Sequence, residues 1–182
     1  MNYPNGIKKN IVKQPVNYKN RGMVLEDDIN LTNEYYMQKK IALIYKKPIP
    51  IKVIKINQTK TRIIDAFYEK KSTLDYNGIY NKKYIEFDAK ETNSRTSFPI
   101  SNIHMHQLEH IKNVIYYGGI AFLIVRFNYH NKTFFVPGNI LIDYINSTSK
   151  KSIPYSFFTD NCYEIKLKYS PRLDYLKIID IL

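Results

Sequence analysis

The sequence predicts an α/β or α+β fold with a central mixed β-sheet flanked by helices. Three observations support this prediction. The 182 residues suit one domain. Apolar residues make up 44% of the chain and include 17 Tyr and 9 Phe, which is enough for a packed core. Helical and strand-like patterns alternate in the order α-β-β-insert-β-β-α-β-β, with no internal repeat.

Two segments differ from the periodic pattern. Residues 1–20 lack apolar periodicity and are rich in Asn, Pro, Gly and basic residues. We therefore expect a flexible basic N-terminal arm there, and a single domain over residues 21–182. Residues 58–72 place basic residues around a short apolar cluster that is too small for a core helix. We expect this insert to project from the domain.

Three helices are predicted from apolar spacing and end signals. The first covers residues 23–40 and carries acidic residues in its first turn, where the helix dipole favours them. The second follows Ser101, a suitable N-cap, and runs to Tyr117, where two glycines end it. The third covers residues 139–145.

The other periodic runs predict strands, because β-branched and aromatic residues alternate or cluster between turn signals. Pro48 and Pro50 separate the first two strands. The pattern is weaker in the C-terminal third, where two further strands are predicted. The predicted strands cover residues 41–45, 51–56, 74–80, 84–90, 120–127, 133–136, 163–169 and 175–181.

The chain is strongly basic, with 28 Lys and Arg against 16 Asp and Glu and a net charge of +12. This favours an anionic partner such as nucleic acid, an anionic membrane or an acidic protein, although an AT-rich genome also enriches lysine. No signal peptide is recognisable, and the longest apolar run, residues 120–125, is too short to span a bilayer. We therefore expect a cytoplasmic protein. The single cysteine, Cys162, excludes an internal disulfide and a multi-cysteine zinc site.

Two carboxylates fall on neighbouring predicted strands. If Asn81 and Lys82 form a two-residue turn, Asp75 lies directly opposite Asp88, and both share a face with Lys90. Like charges in that position destabilise a hairpin unless a cation lies between them. Mg²⁺ binds one or two carboxylates together with water and phosphate oxygens. The pattern therefore indicates a magnesium site suited to phosphodiester chemistry.

Other interpretations of these residues remain open. Asn77-Gly78 is a stronger hairpin dipeptide, and a turn there would pair Asp75 with Tyr80. We favour the later turn because residues 71–76 are poor in β-formers; Gly78 then marks a place where another group approaches the backbone. If no metal binds there, Asp75, Asp88 and Lys90 are solvated groups on the outer face of the sheet. His106 and His110 have a spacing found in zinc sites, but no suitable third ligand is evident.

Asp75, Asp88 and Lys90 match the signature of the PD-(D/E)xK nuclease superfamily, and the wider sequence resembles the RecU family of Holliday junction resolvases. The resemblance covers nearly the whole chain. The matching segments are Tyr3-Pro4-Asn5-Gly6, Asn20-Arg21-Gly22-Met23, Leu25-Glu26-Asp27-Asp28, Lys46-Lys47-Pro48, Ser72-Thr73, Asp75-Tyr76-Asn77-Gly78, Ala89-Lys90-Glu91-Thr92, His106-Gln107 with His110, Lys151-Ser152-Ile153-Pro154-Tyr155 and Pro171-Arg172-Leu173-Asp174-Tyr175.

The resemblance implies a restriction-endonuclease-like core with a projecting stalk, which residues 58–72 match. It implies a homodimeric endonuclease that uses Mg²⁺, with Mn²⁺ as a substitute, to make paired symmetric nicks in four-way DNA junctions during recombination and repair. A RecA-type recombinase and a branch-migration helicase are further expected partners, and a membrane is not. The alternatives are a branched-DNA binder that does not cut, and a general restriction-type nuclease.

The resemblance also implies roles for individual residues. Thr73, Asp75 and Asp88 would form the metal site, and Lys90 would assist catalysis. Asp88 replaces the glutamate that is usual in the family, which shortens the side chain by one methylene. Glu26 and Gln107 would have supporting roles near the site. The alternative for Glu26 is that it serves only as an acidic residue in the first turn of its helix. The expected phosphate contacts are Arg21, Lys60, Arg62 and Arg172. Phe67 and Tyr68 would stack on DNA bases, or else would close the stalk on itself or at a dimer contact.

Overall fold

The computed structural model describes residues 23–68 and 73–182; the predicted arm, Arg21 and Ser72 lie outside these ranges. Five helices and ten strands are found in the described residues. The helices are α1 (Met23–Gln38), α2 (Met105–Tyr116), α3 (Gly138–Ser147), α4 (Tyr155–Asn161) and α5 (Leu176–Ile179). The strands are β1 (Leu43–Lys46), β2 (Ile51–Ile56), β3 (Ile63–Tyr68), β4 (Tyr76–Tyr80), β5 (Lys83–Thr92), β6 (Ser97–Pro99), β7 (Ile120–Phe127), β8 (Lys132–Pro137), β9 (Ser152–Pro154) and β10 (Tyr163–Ile165).

A six-stranded sheet in the order β1-β4-β5-β7-β8-β10 forms the centre of the fold. It is mixed, because β5 and β7 run parallel while the other neighbours are antiparallel. On one face, α1 and the C-terminal segment pack around Ile29 and Tyr175; on the other, α2, α3 and α4 pack around Leu108, Leu141 and Phe158. The predicted α/β fold, a mixed sheet flanked by helices, is confirmed.

Stacked aromatic rings fix the relative positions of four central strands. On the α1 face, Tyr76 stacks on Phe87 at 4.8 Å, Phe87 on Phe122 at 4.7 Å, and Phe122 on Phe135 at 4.2 Å between ring centroids. A shift of one residue in register would move every side chain to the other face. This stack therefore holds the intervening residues of β5 toward α2.

The hairpin between β4 and β5 turns at Asn81 and Lys82, as predicted. Tyr80 pairs with Lys83 at its end, and both turn residues have positive φ, 48° and 64°, as a type I′ turn requires. The alternative turn at Asn77-Gly78 is wrong, since both residues lie within β4. Gly78 pairs with Ile44, so the close approach predicted there is that of the neighbouring strand β1.

Three local predictions were wrong. Ser101 lies in a 3₁₀ turn, Ile100–Asn102, and the N-cap of α2 is His104, whose side chain and that of Gln107 form a capping box. Residues 176–179 of the predicted strand 175–181 form helix α5, because Leu176 and Ile178 are buried on the α1 face and a short apolar run does not distinguish helix from strand. Strand β10 ends at Ile165, well short of residue 169. Helix α4 and the short pair β6–β9 were not predicted.

Strands β2 and β3 form a separate antiparallel hairpin. Every residue of both strands is exposed. The described part of the predicted insert, residues 58–68, therefore supplies the turn and second strand of a hairpin that begins with β2. Among residues 23–68 and 73–182, no helix has both the length and the apolar character needed to cross a bilayer.

Substituting Gly78→Ala is expected to destabilise the fold. The added Cβ would lie 2.1 Å from the carbonyl oxygen of Leu43 and 2.7 Å from Cα of Ile44, so β1 must move. We expect a loss of about 1–3 kcal/mol in the free energy of unfolding, measured by chemical denaturation. Asn77→Ala, the neighbouring position on β4, is the control and should change it by less than about 0.5 kcal/mol. Equal stability of both variants would refute the close approach of β1.

Candidate functional site

The β4–β5 hairpin brings two aspartates together under helix α2. Tyr76 pairs with Phe87, so the register places Asp75, which directly precedes β4, opposite Asp88 on β5, as the sequence predicted. Asp88 is fully buried, and Asp75 is partly buried. We call these two residues the acid pair.

The two carboxylate oxygens of Asp88 have different surroundings. Oδ2 lies 3.0 Å from Nζ of Lys90 and accepts a hydrogen bond from Nε2 of Gln107. Oδ1 is buried without a hydrogen-bond partner among the described residues. Burial raises the pKa of Asp88 to about 7; the charge of Lys90 opposes this shift and that of Asp75 adds to it. One oxygen is thus fixed and the other lacks a ligand.

Gln107 connects helix α2 to the acid pair. Its Nε2 also donates to the backbone carbonyl of Thr73, at 3.2 Å, and its Oε1 accepts from the backbone N–H of His104, at 3.2 Å. One side chain therefore links the start of α2, the segment before β4 and the central strand. This geometry agrees with the supporting position predicted for Gln107.

The acid pair offers the oxygen donors that hard divalent cations prefer. Such ions take one or two carboxylates and complete their shell with water and substrate oxygens, and Asp88 Oδ1 is an unsatisfied hard oxygen donor. The hydroxyl of Thr73, which the resemblance assigns to the metal site, donates to Glu86 at 3.0 Å, and its carbonyl accepts from Gln107 at 3.2 Å. No group of three or more His, Cys, Asp or Glu residues suited to a metal occurs in residues 23–68 and 73–182.

The other predicted residues have different partners or surroundings. Glu26 forms an ion pair with Lys46 at the end of β1. Arg172 lies 3.0 Å from Asp28, whose other oxygen lies 2.7 Å from Arg126, so Arg172 is held within the fold. The remaining predicted DNA contacts in the described residues, Lys60, Arg62, Phe67 and Tyr68, are exposed on the β2–β3 hairpin.

The sequence reasoning missed Glu86. This residue is buried on the α2 face of β5, two residues before Asp88. Burial opposes its ionisation, but hydrogen bonds from Lys47, Tyr84 and His110 and the charge of Lys47 lower its pKa to about 2. Strand alternation from Asp88 was the available signal, since it places Glu86 on the same face.

Comparisons with known proteins agree with one another. A family model described as RecU, recombination protein U, matches residues 20–181. The Holliday junction resolvase RecU of Oceanobacillus iheyensis is 43% identical over 192 residues, covering 99% of this chain and 98% of the relative. Its counterpart from Geobacillus kaustophilus is 42% identical over 182 residues, covering 96% of this chain and 91% of the relative.

A solved structure is also similar. Hjc, a Holliday junction resolvase from Archaeoglobus fulgidus, aligns with a TM-score of 0.44 and 12% sequence identity, covering 76% of this chain and 87% of that chain.

Divalent cations are expected to stabilise the protein through the acid pair. At Mg²⁺ concentrations about tenfold above the dissociation constant, binding to the folded state alone adds about 1.4 kcal/mol, seen as a rise in melting temperature. Asp88→Asn should abolish this rise. Glu164→Gln, which alters an exposed carboxylate on β10, should retain it. An equal rise in the Asp88→Asn variant would exclude the acid pair as the binding site.

Proposed function

This chain belongs to the RecU family, and from that premise we propose that it is a Holliday junction resolvase, an endonuclease that uses Mg²⁺ to nick two strands of a four-way DNA junction symmetrically during recombination and repair. The observation that carries this proposal is the buried Asp88, which keeps a partnerless oxygen beside Asp75 in a chain 43% identical to a named resolvase. The α/β core with its mixed sheet agrees with the restriction-endonuclease-like fold implied by the sequence resemblance.

Each residue of the site has a defined task. Asp75 and Asp88 would hold the Mg²⁺ ion, or Mn²⁺ in its place, with Thr73 beside them. When bound, the metal supplies an acidified water and neutralises charge on the scissile phosphate. Lys90 holds its ammonium beside Asp88, where it can pair with a phosphate oxygen or orient the attacking water.

Two supporting residues act on the acid pair from neighbouring elements. Gln107 fixes one oxygen of Asp88, which would leave the other to hold the metal. Glu26 remains a proposed contributor to catalysis, and it forms an ion pair with Lys46.

DNA is proposed to contact the exposed β2–β3 hairpin. Phe67 and Tyr68 are 49% and 73% exposed, so both offer ring faces for stacking on unpaired bases. Lys60 and Arg62 lie at its turn and next to β3, where they can neutralise phosphates. Arg172 would reach DNA only with the part of its guanidinium that does not face Asp28. Arg21 lies outside the described residues and stays a prediction.

A second copy of the chain is proposed to cover an apolar part of the sheet. Leu43, Ile79 and Tyr84 occupy one row across β1, β4 and β5, and Tyr45 lies in the next row on the same face. Their exposure, 41–56%, is high for large side chains on a sheet. We call these four residues the uncovered sheet face. It adjoins the acid pair, so a two-fold dimer through it would supply two sites for two strands.

The cellular setting follows from the proposed reaction. A junction resolvase works on chromosomal DNA, so we place the protein in the bacterial cytoplasm. A RecA-type recombinase and a branch-migration helicase remain predicted partners, because they produce and move the four-way junctions that a resolvase cuts.

Asp75→Asn is expected to lower Mg²⁺-dependent nicking of a four-way junction at least about 100-fold, because it removes one metal-binding charge. Junction binding, measured by gel shift in Ca²⁺, should persist. Asp160→Asn, an exposed carboxylate on α4, is the matched control and should cut normally. Junction cutting by Asp75→Asn at the native rate would refute the metal site.

The unaltered protein distinguishes the alternative functions. Junction binding without any cleavage product would identify a non-cleaving binder. Equal cutting of linear duplex and junction would identify a general nuclease.

Ile79→Glu is expected to convert the dimer to a monomer, because it places a charge at the centre of the uncovered sheet face. Light scattering after size-exclusion chromatography measures the mass, and a cruciform plasmid reports whether both strands are cut. Leu31→Glu, equally exposed on α1 across the sheet, should remain dimeric and active. An Ile79→Glu variant that stays dimeric with paired cutting would exclude this interface.

A further inference from the structure

Glu86 is a charged residue buried on β5, two positions before Asp88 of the acid pair. It lies on β5 in register with Asn77 and Ala121, and its side chain is 1% exposed. A carboxylate is stable in such a position only if hydrogen bonds and opposite charge replace water. Its surroundings therefore show which parts of the fold it holds.

Each carboxylate oxygen of Glu86 has two hydrogen-bonding neighbours. Oε1 accepts from Nζ of Lys47 and from the hydroxyl of Thr73, the latter at 3.0 Å. Oε2 accepts from the hydroxyl of Tyr84 at 2.7 Å and lies 2.8 Å from Nε2 of His110. Lys47 also contacts the Thr73 hydroxyl, so the ammonium, the hydroxyl and the carboxylate form a closed triangle.

Three of these neighbours lie on segments that carry or contact the acid pair. The backbone N–H of Lys47 donates to the carbonyl of Asp75 at 2.7 Å. Thr73 lies two residues before Asp75 on the segment that leads into β4. His110 lies on α2 three residues after Gln107, which orients Asp88. The carboxylate thus connects both sides of the acid pair.

We propose that Glu86 is a positioning residue of the metal site: through Lys47, Thr73 and His110 it fixes the Asp75 segment and helix α2 at the spacing that lets Asp75 and Asp88 bind one ion. This inference rests on the proposed function and adds a residue to its site. If Glu86 served stability alone, its replacement would weaken the fold and leave metal affinity unchanged.

The test measures Mn²⁺ binding to the full chain in the absence of DNA. Isothermal titration calorimetry gives the affinity, and loss of the electron paramagnetic resonance signal of free Mn²⁺ reports the bound fraction. Glu86→Gln keeps the size of the side chain but removes its charge, and should weaken Mn²⁺ binding about tenfold or more. Junction binding in EDTA should not change. Tyr84→Phe deletes one hydrogen bond to Glu86 at a partly exposed residue and should weaken Mn²⁺ binding in the same direction.

Asp28→Asn provides the control for loss of a buried charge. Asp28 is paired with Arg126 on the opposite face of the sheet, so its replacement should lower the melting temperature but not Mn²⁺ affinity. Native Mn²⁺ affinity in Glu86→Gln and Tyr84→Phe would overturn the inference while leaving the acid pair intact. If Glu86→Gln does not fold, Tyr84→Phe decides the question. Absence of Mn²⁺ uptake by the unaltered protein would instead refute the metal site itself, and the role of Glu86 with it.

Discussion

The burial of one carboxylate, Asp88, is the constraint on which the site depends. A buried charge requires compensation, and here Lys90 and Gln107 satisfy only one of its oxygens. The second oxygen and the nearby charge of Asp75 leave an excess of negative charge under helix α2. A divalent cation would relieve that excess, which is the electrostatic basis of the proposed metal site.

The fold holds this arrangement from the opposite face of the sheet. The aromatic stack that includes Phe87 and Phe122 sets the register of β5 against its neighbours, and alternation then turns Asp88 toward α2. The same strand, β5, therefore contributes to the hydrophobic core on one face and to the acid pair on the other. Glu86 lies on the same face of β5 as Asp88, and it links Lys47, directly after β1, and His110 on α2 to this part of the site.

Patterns that depend on neighbouring residues were predictable from the sequence, whereas pairings between distant segments were not. The turn at Asn81 and Lys82 placed Asp75 opposite Asp88 because hairpin register follows from its turn. The ion pair of Arg172 with Asp28 joins residues 144 positions apart, and no local signal announces it. The partners of Glu86 are equally distant in sequence, since Lys47 follows β1 and His110 lies on α2, although strand alternation from Asp88 does place Glu86 on the same face. Helix α5 is decided by burial on the α1 face and not by its own four residues.

Locating a bound Mn²⁺ ion would test the proposed metal site most directly. Crystals grown or soaked with Mn²⁺ would show the ion by its anomalous scattering. We expect one peak within about 2–2.3 Å of Asp88 Oδ1 and of a carboxylate oxygen of Asp75. A peak bound elsewhere, with the acid pair unliganded at saturating Mn²⁺, would contradict it.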